Sequence, residues 1–130
     1  MASGVSSMMR SQPVSVSTPL GVKSDVVLPD GSRVRLNGGT RIVYPALFGD
    51  ERRVEVDGEA YFDVTHDAGQ PFVVTAPAFR VHVLGTVFNV RSFSGEPVAE
   101  ATLAEGSVAL QHAGGRNLIC LHPGQQAVYD

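Results

Sequence analysis

The residues from Gly58 to Val74, GEAYFDVTHDAGQPFVV, are the part of this sequence whose side chains could do chemistry. Glu59 and Asp63 could form an acid/base pair, and His66 beside Asp67 could relay a proton or hold a metal ion. In an extended strand, however, side chains alternate between two faces. Glu59, Tyr61 and Asp63 then share one face, with Ala60, Phe62 and Val64 on the other. A catalytic pair needs one carboxyl group desolvated enough to raise its pKa. We therefore predict that both carboxylates lie on the solvated face of a strand.

Other candidate reactive residues are equally isolated. His66–Asp67 precedes Gln70–Pro71 and is typical of a turn, in which aspartate bonds to its own backbone. The four histidines form neither an H-x-H nor an H-x-x-x-H pair, so the sequence predicts no metal site and no cofactor. Ser107 lacks the G-x-S-x-G pattern of an activated serine. Cys120 is the only cysteine, and its place in the apolar run Leu118–Leu121 predicts a small buried side chain.

Composition limits the classes of function. The 130 residues suit one domain, and the net charge of −3, without a run of cations, argues against nucleic acid as a partner. No window approaches the roughly 20 apolar residues of a membrane-spanning helix, and the first residues do not resemble a secretory signal. We expect residues 1–17 to be a flexible lead-in or a remnant of cloning, and residues 18–130 to form the folded domain.

Alternation with a period of two dominates the chain and predicts strands with one buried face. Fourteen glycines and eight prolines mark frequent turns, such as the hairpin turn Leu28–Gly31. The fold class predicted is all-β, an antiparallel jelly-roll-like sandwich or roll of about ten short strands with almost no helix. The predicted strands lie near 20–28, 32–37, 40–44, 52–57, 59–64, 71–75, 79–84, 86–93, 98–104, 106–111 and 118–129, the last broken at Pro123–Gly124.

The apolar positions change parity around Gly85. Val81 and Val83 are odd, whereas Phe88 and Val90 are even, so a bend or an extra residue must lie between them. Glycine adopts such a bend at low cost, through a positive φ or a close backbone approach. We predict that the chain turns here from one sheet to another. Gly114, in a polar turn, is expected to tolerate a side chain.

Three blocks in this order and spacing resemble the FecR domain of bacterial transmembrane anti-sigma regulators. They are LPDGSRVRLNGGTRIVYP (Leu28–Pro45), RRVEVDGEAYFDVTHDAGQPFVV (Arg52–Val74) and VHVLGTVFNVRSFSGEPVAEATLAEGSVAL (Val81–Leu110). The closing LHPGQQAVYD (Leu121–Asp130) is similar to the L-x-P-G-Q-x-A end of that family. The sigma-binding helical region, the transmembrane helix and the C-terminal α/β domain of many relatives have no counterpart in this sequence, which is typical of an excised sensor domain.

The resemblance implies a non-catalytic sensor domain in the periplasm, all-β and jelly-roll-like in fold. It implies as partner the signalling domain of an outer-membrane TonB-dependent transducer, often during iron-siderophore or glycan uptake. A sigma factor would be engaged only through a cytoplasmic segment outside this sequence. The alternative is a jelly roll that binds a carbohydrate or another small ligand, because fold does not fix function. A free sheet edge with apolar residues would favour the partner-binding module, and exposed aromatics gathered on one sheet face would favour the ligand module. The sequence does not identify the binding surface.

Overall fold

The computed structural model describes residues 12–130, and in this part of the chain it contains twelve β-strands and no helix. The all-β prediction is confirmed. The strands are β1 Pro13–Ser17, β2 Ser24–Val27, β3 Arg33–Leu36, β4 Arg41–Pro45, β5 Arg52–Asp63, β6 Phe72–Thr75, β7 Phe79–Val83, β8 Val87–Ser92, β9 Ala99–Glu105, β10 Val108–His112, β11 Leu118–Leu121 and β12 Gln126–Tyr129.

The strands form two sheets that share β5, so the fold is a nearly closed roll. Sheet A has the order β1-β4-β5-β6-β7-β10-β11. Sheet B has the order β2-β3-β5-β8-β9-β12. Every pair is antiparallel except β5 with β6, which is parallel and departs from the predicted antiparallel pattern. The parallel pair arises because the chain returns from the end of β5 to its beginning through residues 64–71.

One hydrophobic cluster fills the space between the sheets and draws on both. Its centre is aromatic: the Phe62 and Phe88 rings stack at 4.9 Å, and Phe72 meets Phe62 edge-on at 6.2 Å. Phe62 and Phe88 belong to sheet B, whereas Phe72 belongs to sheet A. The inward-facing residues thus join the two sheets in a single core.

Gly58 lets the 12-residue strand β5 pass from sheet A to sheet B. Residues before it pair with β4 and β6, and residues after it pair with β3 and β8. Its φ is +135°, and a Cβ atom there would lie 2.8 Å from Thr40 Cα. Both observations exclude a side chain, as expected for a glycine at a close backbone approach. The predicted strands 52–57 and 59–64 are therefore one bent strand.

The corner predicted at Gly85 is present. The chain bends at Leu84–Gly85, between β7 in sheet A and β8 in sheet B. Gly85 has no positive φ, and a Cβ atom there would lie 2.6 Å from His66 Cβ and in contact with His66 Cα. Glycine is required here for close packing. Gly114 has a φ of +77°, so the expectation that it tolerates a side chain is wrong.

Two further expectations need correction. The predicted lead-in overlaps β1, because Pro13–Ser17 pairs with β4 and is part of sheet A; residues 1–11 lie outside the described residues. Cys120 is exposed and not buried. It pairs with Ala109 on the outer face of β11, whereas its neighbour Leu121 points to the core. The apolar run was misleading because β11 lies at an edge of the sheet. A neighbouring strand flanks it on one side, so its side chains remain more accessible to solvent than those of a central strand.

Candidate functional site

The structure does not bring Glu59 and Asp63 together. They lie on the same face of β5, four residues apart, which corresponds to about 13 Å along a strand. Asp63 is exposed, as predicted. Glu59 is half-buried, because its carboxylate accepts hydrogen bonds from Asn37 Nδ2 at 2.6 Å and Asn89 Nδ2 at 3.1 Å. The prediction of a fully solvated Glu59 is therefore wrong.

Glu59 belongs to the polar outer face of sheet B. In one row across this face, the register places Arg35 beside Tyr61 and Tyr61 beside Asn89. Two shallow clefts, of about 290 and 420 Å³, share Arg35 and Tyr61 in their linings. Tyr61 is the one aromatic residue that is exposed among residues 12–130. The gathered aromatics expected of a ligand-binding face are thus not seen in this region.

Three other phenylalanines support the core or the rim. Phe79 is fully buried in the hydrophobic cluster. Phe48 packs edge-on against Phe72 at 6.2 Å, and Phe93 lies beneath the Arg91 guanidinium at 5.0 Å. These contacts are structural.

The turn predicted around His66 and Asp67 is present, but it spans residues 67–70, and His66 lies directly before it. The Asp67 carboxylate accepts a hydrogen bond from the Gly69 amide at 3.1 Å, and the Asp67 carbonyl accepts one from the Gln70 amide at 3.2 Å. His66 is exposed and contributes its backbone to the packing against Gly85. These contacts indicate a structural role for both residues, which is to hold the loop in place.

Sequence reasoning missed a buried charge, Arg52, at the beginning of β5. Its guanidinium is fully buried and donates hydrogen bonds to the carbonyl oxygens of Gln70 (2.7 Å), Thr65 (2.8 Å) and Leu84 (2.8 Å). It also donates to Asp30 Oδ2 at 2.8 Å. One side chain thus holds the β2–β3 turn, the return loop 64–71 and the corner before β8. Strand alternation places Arg52 on the inward-facing side of β5. In the pair Arg52–Arg53, however, the residue types alone do not indicate that one arginine is buried.

The Asp30 carboxylate is matched to this cation. Partial burial by itself would raise the pKa of Asp30, but hydrogen bonds from Arg52, Ser32 and Thr65 outweigh it and hold the pKa below the ordinary value of 3.8. A perturbed carboxyl in a cleft can indicate catalysis. Here the same groups stabilise the fold, because Asp30 also accepts the Ser32 amide at 2.9 Å inside its own turn.

The strand β11 offers a different kind of site, a free sheet edge. Among the described residues, β11 pairs with β10 alone. Its sequence, LICL, leaves Leu118 57% exposed and Ile119 51% exposed, with Cys120 also exposed. Edge strands in soluble proteins normally carry charges or prolines that prevent pairing with another chain. An apolar edge of this kind is suited to binding a strand of another protein.

Residues 12–130 contain neither a metal-binding cluster nor a membrane-spanning helix. No group of three or more His, Cys, Asp or Glu side chains in this region is arranged to hold a metal ion. No helix of the length and apolar character needed to cross a membrane occurs in it.

Comparison with known proteins identifies the family. The model of the family described as "FecR protein" matches residues 14–109. Two crystal structures described as "a putative anti-sigma factor" from Parabacteroides distasonis ATCC 8503, at 2.50 and 1.65 Å resolution, have the same fold, with TM-scores of 0.86 and 0.84 and 35% sequence identity. The alignments cover 90% and 88% of this chain but only 55% and 54% of those chains, so this chain spans about half the length of these relatives. No curated protein gives a match. Because the family model covers most of the chain, the protein belongs to the FecR family.

Proposed function

We propose that this domain is the signal-receiving part of a FecR-type anti-sigma regulator. Its partner is the signalling domain of an outer-membrane TonB-dependent transducer, and its place of action is the periplasm. The observation that carries the proposal is the FecR match over residues 14–109, together with solved relatives described as anti-sigma factors. Control of a sigma factor would pass through other parts of the regulator.

In this proposal the domain binds and does not catalyse. Three of the carboxylates that could do chemistry have structural partners instead: Glu59 bonds to two asparagines, Asp67 closes a turn, and Asp30 pairs with Arg52. A general acid or base needs a free position beside a bound substrate. The hydrogen bonds of Asp67 and Asp30 instead hold a turn and a buried arginine.

The ligand-binding alternative has less support. Aromatic platforms bind sugars through their exposed faces, and the outer face of sheet B has Tyr61 alone in that role among the described residues. The free apolar edge at β11 meets the criterion that favours a partner-binding module.

A direct binding measurement tests the proposal. The domain is immobilised, and the purified signalling domain of the transducer from the same organism is passed over it; the transducer barrel without that domain is the control. We expect saturable binding of the signalling domain alone. If the domain binds neither protein but binds the transported sugar or siderophore directly, the proposal is wrong and the ligand-binding alternative replaces it.

A further inference from the structure

The four edge strands of the two sheets differ in how they are protected. Sheet A ends in β1 and β11, and sheet B ends in β2 and β12. The strand β1 begins with Pro13, β2 contains Asp25, and β12 contains Gln126 and is followed by Asp130. Proline and charged side chains discourage pairing with a further strand. Only β11 among these four has no charged residue, no proline and no side-chain amide.

Each face of β11 presents apolar side chains at this edge. The register with β10 places Leu118 and Cys120 on the outer face and Ile119 and Leu121 on the inner face. Leu121 is buried, whereas Ile119 is half exposed although it points inward. An inward-pointing residue that stays exposed indicates that the sandwich is open here, beside β11. An added strand would cover Ile119 and extend sheet A.

The charge of the chain segment that contains this edge favours an acidic partner. From Gly106 to Tyr129 the sequence contains no aspartate or glutamate, although the whole chain carries 13 acidic residues against 10 basic ones. The one arginine in that span is Arg116, exposed in the turn two residues before β11. A carboxylate at the end of an incoming strand would therefore meet a cation and no acidic neighbour from this segment. Complementary charge of this kind steers association and fixes register.

The same charge pattern argues against a second copy as the occupant. Two β11 strands paired with one another would bring together two segments that have Arg116 and lack carboxylates. Neither copy would supply the acidic group that neutralises the other's arginine. A heterologous partner can supply it.

We infer that β11 is the docking strand of the domain, and that it binds an extended partner segment with alternating apolar side chains and a carboxylate opposite Arg116. This inference rests on the proposed function, because the partner is the transducer signalling domain. Backbone hydrogen bonds to the free edge of β11 give the affinity, Ile119 and Leu118 contact the apolar side chains, and Arg116 fixes the register.

Variants of the edge test the inference, with the transducer signalling domain as the probe. Ile119→Lys places an inward-pointing charge on the edge and should weaken binding about tenfold or more, the effect of losing a contact at the centre of an interface. Val27→Lys is the matched control, because Val27 is 66% exposed on β2, the edge of the other sheet. It should change the Kd less than about twofold, since residues outside an interface contribute little.

Arg116→Glu tests the charge at a loop position where folding is not at risk. It should weaken binding, and added salt should no longer reduce the remaining affinity, because the attraction that salt screens has been replaced by a repulsion. Arg116→Lys should retain most of the binding. Hydrogen exchange supplies an independent readout: the amides of residues 118–121 should become protected in the complex.

The outcomes distinguish a failure of the proposed function from a failure of the inference about β11. No binding by the wild-type domain would overturn the proposed function and this inference together. Wild-type binding that is unaffected by both Ile119→Lys and Arg116→Glu, or protection of residues 24–27 in place of 118–121, would overturn the inference alone. A wild-type dimer in sedimentation experiments that Ile119→Lys dissociates, with transducer binding unchanged, would show that a second copy occupies the edge and would also overturn it.

Discussion

Replacing Arg52 by methionine should destabilise the domain more than any surface substitution. Four of the Arg52 hydrogen bonds are 2.7–2.8 Å long, and three of them go to backbone carbonyl groups from separate parts of the chain. Methionine preserves the apolar stem and packing against Phe72, whose ring lies 5.2 Å from the guanidinium carbon. It leaves three carbonyls and the Asp30 carboxylate without their donor.

The magnitude follows from these contacts. An unsatisfied buried acceptor costs about 1–3 kcal/mol, and removing one member of a buried ion pair costs about 3–5 kcal/mol. Because water can reach part of Asp30, which is 13% exposed, we expect a loss of about 4 kcal/mol in the free energy of unfolding. That is a large part of the typical stability of about 5–15 kcal/mol.

Urea unfolding followed by far-UV circular dichroism or tyrosine fluorescence measures this loss, since the chain has no tryptophan. With a slope of about 2 kcal/mol/M, the midpoint should fall by about 2 M. Arg53→Met is the control: Arg53 is 77% exposed and pairs with Glu51 at the surface, where an ion pair contributes about 0–1 kcal/mol. If the two variants differ by less than about 1 kcal/mol in the free energy of unfolding, the Arg52 hydrogen bonds do not hold the loops together.

Three further predictions concern the corner, the polar face and pH. Gly85→Val should lower the free energy of unfolding by about 2–3 kcal/mol, because the new side chain meets the His66 backbone. Gly49→Val is the control and should lower it clearly less, because Gly49 has open space around it and no positive φ. Equal melting temperatures for the two variants would contradict the close approach at Gly85. Glu59→Gln should cost about 1 kcal/mol in urea unfolding, since one amide oxygen cannot serve both Asn37 and Asn89, and exposed Asp63→Asn should stay within about 0.5 kcal/mol. The pKa of Asp30 is lowered in the folded state, so its contribution to stability is present above the ordinary value of 3.8 and is lost as the pH falls through the folded-state pKa. The difference in stability between wild type and Asp30→Asn should therefore shrink in unfolding experiments below about pH 4, and a difference independent of pH would contradict the pairing.

Strand alternation was sufficient to predict most of the fold, because the inward-facing sets, apart from Arg52 and Ser92, are apolar. The parity change at Gly85 located the passage between sheets for the same reason. The parallel pairing of β5 with β6 could not be predicted in this way. It depends on the return loop 64–71, which is held by hydrogen bonds from Arg52 to backbone carbonyls. Every residue has a backbone carbonyl, so the sequence does not show which of them accept these bonds.

The candidate site was harder to predict than the fold. Leu118–Leu121 has the composition of a buried strand, and only the pairing pattern shows that β11 has one neighbour. Burial depends on what lies beside a strand, which short-range periodicity does not report. The role proposed for Arg116 depends on the absence of carboxylates from residues 106–129, and that absence points to a partner only once the edge is known.

The sharing of β5 by both sheets has a consequence for how the domain moves. Its first half pairs with β4 and β6 in sheet A, and its second half pairs with β3 and β8 in sheet B, so the amides of each half exchange with solvent when their own sheet opens. Opening should begin at the outer strands, which each have one neighbour in the described part of the chain, before it reaches β5. A displacement imposed at the edge of sheet A would reach sheet B through a continuous backbone, without relying on side-chain contacts across the core.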